Sequence, residues 1–285
     1  MDNVKIGIIG GSGVYEIEGI KLSKEIQIKT PFGNPSDVIK IGDLEGVQVV
    51  FLPRHAVGHR ISPSEINAKA NIYAFKKLGV EKIISISACG SLKEEIKPCD
   101  FVIPDQLFDE TKHRSSTFFS EGIVAHVGFA EPYCPNLRKI LVDEAGHLTL
   151  TVHDGGTYIC MEGPQFSTRA ESDVHRSLGF SIIGMTNSPE AKLAREAEIC
   201  FATVGLATDY DVWKKGEEVS AEKVMANMKV LTANVKKLMK NVIPKLNYER
   251  NCCCKDALKY AIMTDPKTIN SKTKKKLKLL VGKYI

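Results

Sequence analysis

The chain has 285 residues, 43% of them hydrophobic and 26% charged, with 22 Gly and 12 Pro, which excludes collagen-like, coiled-coil and wholly disordered classes. A chain of this length buries roughly three quarters of its unfolded surface. No run approaches the roughly 20 apolar residues that span a bilayer, and MDNVKIGIIGG lacks the pattern of a signal peptide, so a soluble, cytoplasmic protein with no membrane partner is expected. The net charge of +5 is mild and its excess gathers near the end, at Lys272, Lys274, Lys275, Lys276, Lys278 and Lys283. No aromatic interleaving accompanies this run, so it reads as a solvated tail or final helix and not as a nucleic-acid surface.

In chain order, residues 4–9 form a short apolar run that ends in Gly10-Gly11-Ser12-Gly13, the pattern of a buried strand entering a tight turn. Residues 14–30 read as a loop and an edge strand, and 49–52 as a second buried strand ending at Pro53-Arg54-His55. Helical spacing over 64–78, with Ser62 or Ser64 as cap, leads into an Ile-rich strand from Lys82 that breaks at Ala88-Cys89-Gly90-Ser91. Further on, 101–103, 156–161, 181–185 and 202–207 read as strands. The segments 138–146, 167–178, 190–198 and 219–243 read as helices, the last capped by Ser220. Strands without polar alternation, separated by helices, predict an α/β fold with a sheet covered on both faces. With no Pro-, Gly- or Ser-rich linker and no repeat, one domain over 1–248 is expected, followed by a Cys-containing, Lys-rich extension over 249–285.

Eight cysteines are present, with Cys252, Cys253 and Cys254 consecutive and Cys89, Cys99, Cys134, Cys160 and Cys200 scattered. Three adjacent cysteines do not match the usual zinc-ligand spacing, and no His follows at finger distance, so no metal site is expected. Two readings stay open for the thiols: reduced side chains, or disulfides of Cys252 with Cys254, of the trio with Cys200, or of Cys134 with Cys200.

Ligands of open α/β sheets lie outside the carboxyl ends of strands. The residues there are Gly10 to Gly13, Arg54-His55, Ser87-Ala88, Met185-Thr186 and Asp209-Tyr210-Asp211. The first four groups offer amides, hydroxyls, a guanidinium and an imidazole, which suit a tetrahedral oxyanion. The last offers two carboxylates at i and i+2, on one side of an extended segment. Each group alone has a plainer reading as a turn, a surface pair or a helix cap. Their convergence on one crevice is the signal. A dinucleotide fold is disfavoured, because Gly7-x-x-Gly10-Gly11-Ser12-Gly13 lacks G-x-G-x-x-G spacing and no acidic residue follows on cue.

The segments IGIIGGSGVY (6–15), TPFGNPSD (30–37), LPRHAVGHRISPSEINAKANIYAFKKLGV (52–80), SACGSL (87–92), EGPQFSTRAES (162–172), GMTNSPEAKLAREAEIC (184–200) and ATDYDVW (207–213) resemble the purine nucleoside phosphorylase family, most closely its 5'-methylthioadenosine phosphorylase branch. The resemblance runs from about residue 4 to about residue 245. It implies a mixed sheet partly closed into a barrel and flanked by helices, a trimer or dimer of trimers, and phosphate-dependent cleavage of a nucleoside without metal or organic cofactor. It also implies phosphate contacts from Ser12, Arg54, His55, Ser87, Ala88 and Thr186. Met185 falls against the ribose, Ser167 near base and sugar, and Asp209 and Asp211 on the purine, with Asp209 as the catalytic acid. Asn187-Ser188 before Pro189 departs from relatives that often carry apolar residues or Thr there. Adenine nucleosides are expected, 5'-methylthioadenosine first, because an ionised carboxylate accepts from a 6-amino group and repels a 6-oxo group. A broader phosphorylase acting on adenosine, inosine or guanosine, and a nucleotide- or metabolite-binding protein without turnover, are the competing readings.

Overall fold

The opening apolar run forms β1 (Ile6–Gly10), buried along its whole length between two parallel neighbours, β4 (Val47–Pro53) and β5 (Lys82–Ser91). The structure, a computed structural model, describes residues 4–11, 20–148, 150–217 and 219–285. Beyond β4 the sheet continues through β3 (Ile39–Leu44) to the exposed edge strand β2 (Lys21–Ile26), both pairings antiparallel. Strand β5, ten residues long, is where the sheet divides. One branch runs through β10 (Ile182–Gly184) and β9 (Thr157–Cys160) to β7 (Gln106–Asp109). The other runs through β11 (Cys200–Asp209) and β6 (Phe101–Ile103) to β8 (Val152–Asp154). The result is a single α/β domain with a mixed sheet of eleven strands. Among the described residues β7 and β8 end their branches without pairing each other, so the sheet is not fully closed, consistent with a barrel expected to be only partly closed.

Helices cover both faces. On one side α1 (Ala68–Lys77) and α4 (Asn187–Glu196) bury Ile72, Phe75, Leu193 and Ala194 together with Ile9, Leu52 and Phe201 from the strands. On the other, α2 (Pro135–Gly146) and α5 (Ala221–Lys245) bury Leu137, Leu141, Leu231, Val235 and Leu238 against Ile8, Phe51, Ile84 and Val204. Each such side chain removed from water contributes about 1.5–3 kcal/mol. The short α3 (Arg169–Ser177) begins two residues later than its sequence pattern, because Thr168 caps it, accepting from the Glu171 amide. Helix α1 likewise starts at its cap Asn67, while Ser62 closes a preceding 3-10 turn with Glu65.

Residues 249–285 pack onto both clusters, contributing Cys254 to one and Leu258, Ile269, Leu277, Leu280 and Val281 to the other. The Lys-rich run forms α6 (Ser271–Val281), where Lys276 pairs with Glu121 at 3.0 Å, and Lys283 beyond it pairs with Glu198 at 2.7 Å. No described helix is long and apolar enough to cross a membrane. The disulfides held open by the sequence are not formed. All eight cysteines are free, and the sulfurs of Cys200 and Cys252 stand 3.3 Å apart, well beyond the roughly 2.05 Å of an S–S bond.

Candidate active site

The carboxyl ends of β1, β4, β5, β10 and β11 open onto one cavity of about 250 Å³. Its wall includes Gly11, Arg54, His55, Ser87, Ala88, Met185, Thr186, Asp209 and Asp211. Ser12 lies outside the described residues. Ser167 is buried but does not line the cavity; its hydroxyl contacts the sulfur of Met161, which does.

Arg54 follows the last residue of β4 and is 1% exposed. Glu190 on α4 takes its Nε and Nη2 at 2.6 and 3.0 Å, Ser85 accepts from Nη2 at 2.7 Å, and the Ile86 carbonyl accepts from Nη1 at 3.1 Å. A guanidinium has five N–H donors, so these four bonds fix its plane and leave one N–H on Nη1. A Cβ on Gly11 would lie 3.1 Å from that Nη1 and 2.9 Å from the Ile86 carbonyl oxygen, so the glycine turn allows backbone to approach the guanidinium. Glu190, as buried as Arg54, reads in the sequence only as the start of a helix; its role is visible only once α4 is docked on the sheet.

His55 stacks on His59 at 4.4 Å, and its Nδ1 lies 2.9 Å from the Ile61 carbonyl. A carbonyl only accepts, so Nδ1 carries the proton and Nε2 keeps a lone pair. Burial, reinforced by the Arg54 charge, lowers the His55 pKa to about 4, so the ring is neutral at physiological pH. Beside it, Ser87 on β5 shares hydrogen bonds with Tyr158 at 3.0 Å and Thr186 at 3.2 Å. Tyr158 is fully buried and burial holds its pKa well above the usual phenol range, so it stays protonated. Gly184 permits this contact, because a Cβ there would collide with the Tyr158 hydroxyl.

At the end of β11, Asp209 accepts from the Thr208 hydroxyl at 2.6 Å and from the Asp211 amide at 2.8 Å. Burial raises its pKa even so, and the Asp211 charge adds to the effect. One Asp211 oxygen is buried with no hydrogen-bond partner among the described residues. The two carboxylates do not meet by strand alternation, as the spacing implied. Asp211 has φ 52° and sits in a turn, so the chain folds back to present both carboxylates, with Gly90 of β5 packed against them.

Apolar side chains of Pro63, Met161, Pro164, Phe166, Ile183 and Val224 make up much of the remaining wall, with His59 and Thr208 among them. Arg114, absent from the sequence reading, ties two of these loops together. It donates to the carbonyls of Met185, Ser188 and Glu162, and its Nε meets the Glu162 carboxylate at 3.0 Å. Although desolvation opposes it, Glu162 is held down at about 2 by hydrogen bonds from Ser64, Lys112, Arg114 and His113. Asn187 and Ser188, the departure noted in the sequence, do not line the cavity. Asn187 accepts from Thr203, and Ser188 donates to Asp109 at 2.6 Å.

Comparison with known proteins agrees with this geometry. The phosphorylase superfamily profile matches residues 5–244. The S-methyl-5'-thioadenosine phosphorylase of Geobacter sulfurreducens is 54% identical over 282 residues, covering 98% of this chain and 99% of that protein. A methylthioadenosine phosphorylase from an antarctic soil metagenomic library superimposes with a TM-score of 0.92 at 46% identity, covering 98% and 99% of the two chains. A variant of the adenosine/methylthioadenosine phosphorylase of Schistosoma mansoni, solved with methylthioadenosine, gives a TM-score of 0.83 at 36% identity over 87% of this chain and 93% of that one. The chain therefore belongs to the phosphorylase superfamily, on its methylthioadenosine phosphorylase branch.

Proposed function

We propose that this chain cleaves 5'-methylthioadenosine with inorganic phosphate, releasing adenine and 5-methylthioribose 1-phosphate. The observation that carries the reading is one cavity that joins an immobilised guanidinium and hydroxyls to a buried carboxyl of raised pKa. The full-length likeness to phosphorylases of that name supports the substrate.

Phosphate is held by Arg54, His55, the Ser87 and Thr186 hydroxyls and the Ala88 amide, with Ser12 as a further hydroxyl. With Nδ1 engaged by Ile61, His55 accepts through Nε2, so a monoprotonated phosphate donates its O–H there and keeps its charge toward Arg54. One phosphate oxygen attacks C1' as the C1'–N9 bond breaks. Positive charge develops on the ribose, next to Met185 and above the dianion, and the bond electrons pass into the purine. Asp209, whose pKa is raised by burial, gives a proton to N7 of the leaving base, and Asp211 accepts from the 6-amino group. Ser167 acts at one remove, by supporting Met161. The apolar wall formed by Pro63, Phe166 and Val224 receives the methylthio group, which has no hydrogen bond to offer. No step passes through a metal or organic cofactor.

Initial rates on 5'-methylthioadenosine, adenosine and inosine, with and without phosphate, test the reading. Phosphate-dependent release of adenine, fastest from 5'-methylthioadenosine, is expected; equal or faster cleavage of inosine replaces it with a broad purine nucleoside phosphorylase. We further propose a cytoplasmic trimer or dimer of trimers, in line with the family. Sedimentation equilibrium at three or six chain masses supports it, and a single chain mass rejects it.

A further inference from the structure

Four sulfurs from three separate stretches of chain meet away from the cavity. Cys134 is the N-cap of α2, Cys200 is the first residue of β11, and after α5 Cys252 caps the 3-10 turn Cys253–Asp256 that contains Cys254. All four Sγ atoms lie within 4.8 Å of one another, and Cys200 and Cys252 are 3.3 Å apart. Cys253, between two members of the group, is exposed. The extended N-cap and the turn that follows it bring Cys252 and Cys254 to the cluster and leave Cys253 outside, which a spacing rule based on three adjacent ligands does not foresee.

We propose that Cys134, Cys200, Cys252 and Cys254 form a closed tetrathiolate site for one zinc ion, structural in role. A tetrahedral centre with Zn–S bonds of about 2.3 Å places its sulfurs about 3.8 Å apart. The observed separations bracket that value and exceed a disulfide bond, so four ligands close around an ion with only small side-chain movement. Four thiolates around a divalent ion carry two net negative charges, and the surroundings answer them. Lys82, the cross-strand partner of Cys200, is fully buried and donates to the Tyr248 carbonyl at 2.9 Å, with its ammonium 4.3 Å over the Tyr248 ring. The N-terminal turn of α2, which Cys134 caps, favours a thiolate through its amides and dipole. The buried Tyr248 hydroxyl has no hydrogen-bond partner among the described residues and is available to a thiolate. On binding, the thiol protons pass to solvent and no electron is transferred.

Its place in the fold assigns the role. Cys200 and Asp209 stand at opposite ends of β11, about 30 Å apart at about 3.3 Å per residue, so the ion takes no part in the chemistry of the cavity. It clamps the segment that follows α5 onto α2 and the sheet.

The test is metal analysis of the full-length protein made in zinc-supplied cells and purified under reductant without chelator, where one zinc per chain is expected. Co²⁺ alone, added to the metal-stripped protein, is expected to give the intense tetrahedral d–d and thiolate charge-transfer absorption of an S4 site. Cys254→Ser is expected to lose the zinc and lower Tm, while Cys253→Ser keeps the metal. The kcat and KM of the wild type, measured well below Tm, are expected to stay within twofold when the metal is removed. Protein that holds no zinc and gives no cobalt spectrum overturns the site, as does a count below eight free thiols after denaturation without reductant. Loss of turnover on removing the metal overturns the structural role and leaves the phosphorylase reading intact.

Discussion

In the proposed mechanism Asp209 and Arg54 carry opposite halves of the reaction, and a direct substitution at each tests its part. Asp209→Asn keeps the shape and the acceptor oxygen but has no acid proton to give. Cleavage of adenine nucleosides is expected to fall about 10²–10⁴-fold, the range of a lost general acid. Cleavage of 6-oxopurine nucleosides falls much less, because the amide at N7 also reaches the adjacent 6-oxo oxygen and donates to it; steady-state rates on both classes decide, and equal losses remove Asp209 from the assigned role. Arg54→Ala is expected to raise the phosphate requirement and remove about 2–4 kcal/mol of transition-state stabilisation. It also strands Glu190, so denaturant unfolding is expected to show a further loss of about 3–5 kcal/mol. Unchanged apparent affinity for phosphate excludes Arg54 from the site. At this scale the residues at strand ends were legible, because motif and strand end coincide there. Glu190, Tyr158 and Arg114 were not: each acts through contacts with residues distant in sequence, which no local pattern records.

Among the elements, β1, β4, β5 and β11 were readable because strands covered on both faces are continuous apolar runs. The sequence pattern missed β3, β7 and β8. β3 mixes Lys, Gly and Asp with its apolar residues, while the other two are four residues or fewer and hold their place by pairing and not by periodicity. Sheet closure was not legible either, since it depends on whether two distant branches meet. The turn after β1 makes the element-scale prediction. Gly11→Ala places a methyl group against Arg54 Nη1 and the Ile86 carbonyl. The phosphate KM is expected to rise while adenine binding, at the far side of the cavity, is preserved. Phosphate titration and adenine binding by calorimetry separate the two, and parallel losses indicate a general disturbance of the sheet instead.

The whole molecule is expected to lose stability in acid in two stages. Folded His55 takes up its proton only near pH 4, whereas the unfolded chain takes it up near 6.5. This contribution, on the order of 3 kcal/mol, is fully present above pH 6.5 and is lost as pH falls toward 4. Glu162 and Asp109 are held at about 2 against ordinary values of 4.5 and 3.8, so their contributions are present above those values and disappear as pH falls toward 2. Tm measured across pH is expected to be level between about 6.5 and 8, to fall from 6.5 to 4, and to fall again below. His55→Asn removes the first decline, and a wild-type Tm that is level from pH 7 to 4.5 contradicts a neutral buried imidazole.

The central claim is that phosphate itself attacks C1' while the adenine leaves. Phosphorus NMR of the protein mixed with inorganic phosphate and 5'-methylthioadenosine tests it most directly. The phosphate resonance is expected to decline as a sugar 1-phosphate monoester resonance grows, in step with the adenine released. Adenine released while inorganic phosphate stays unchanged makes the protein a hydrolase and contradicts the account.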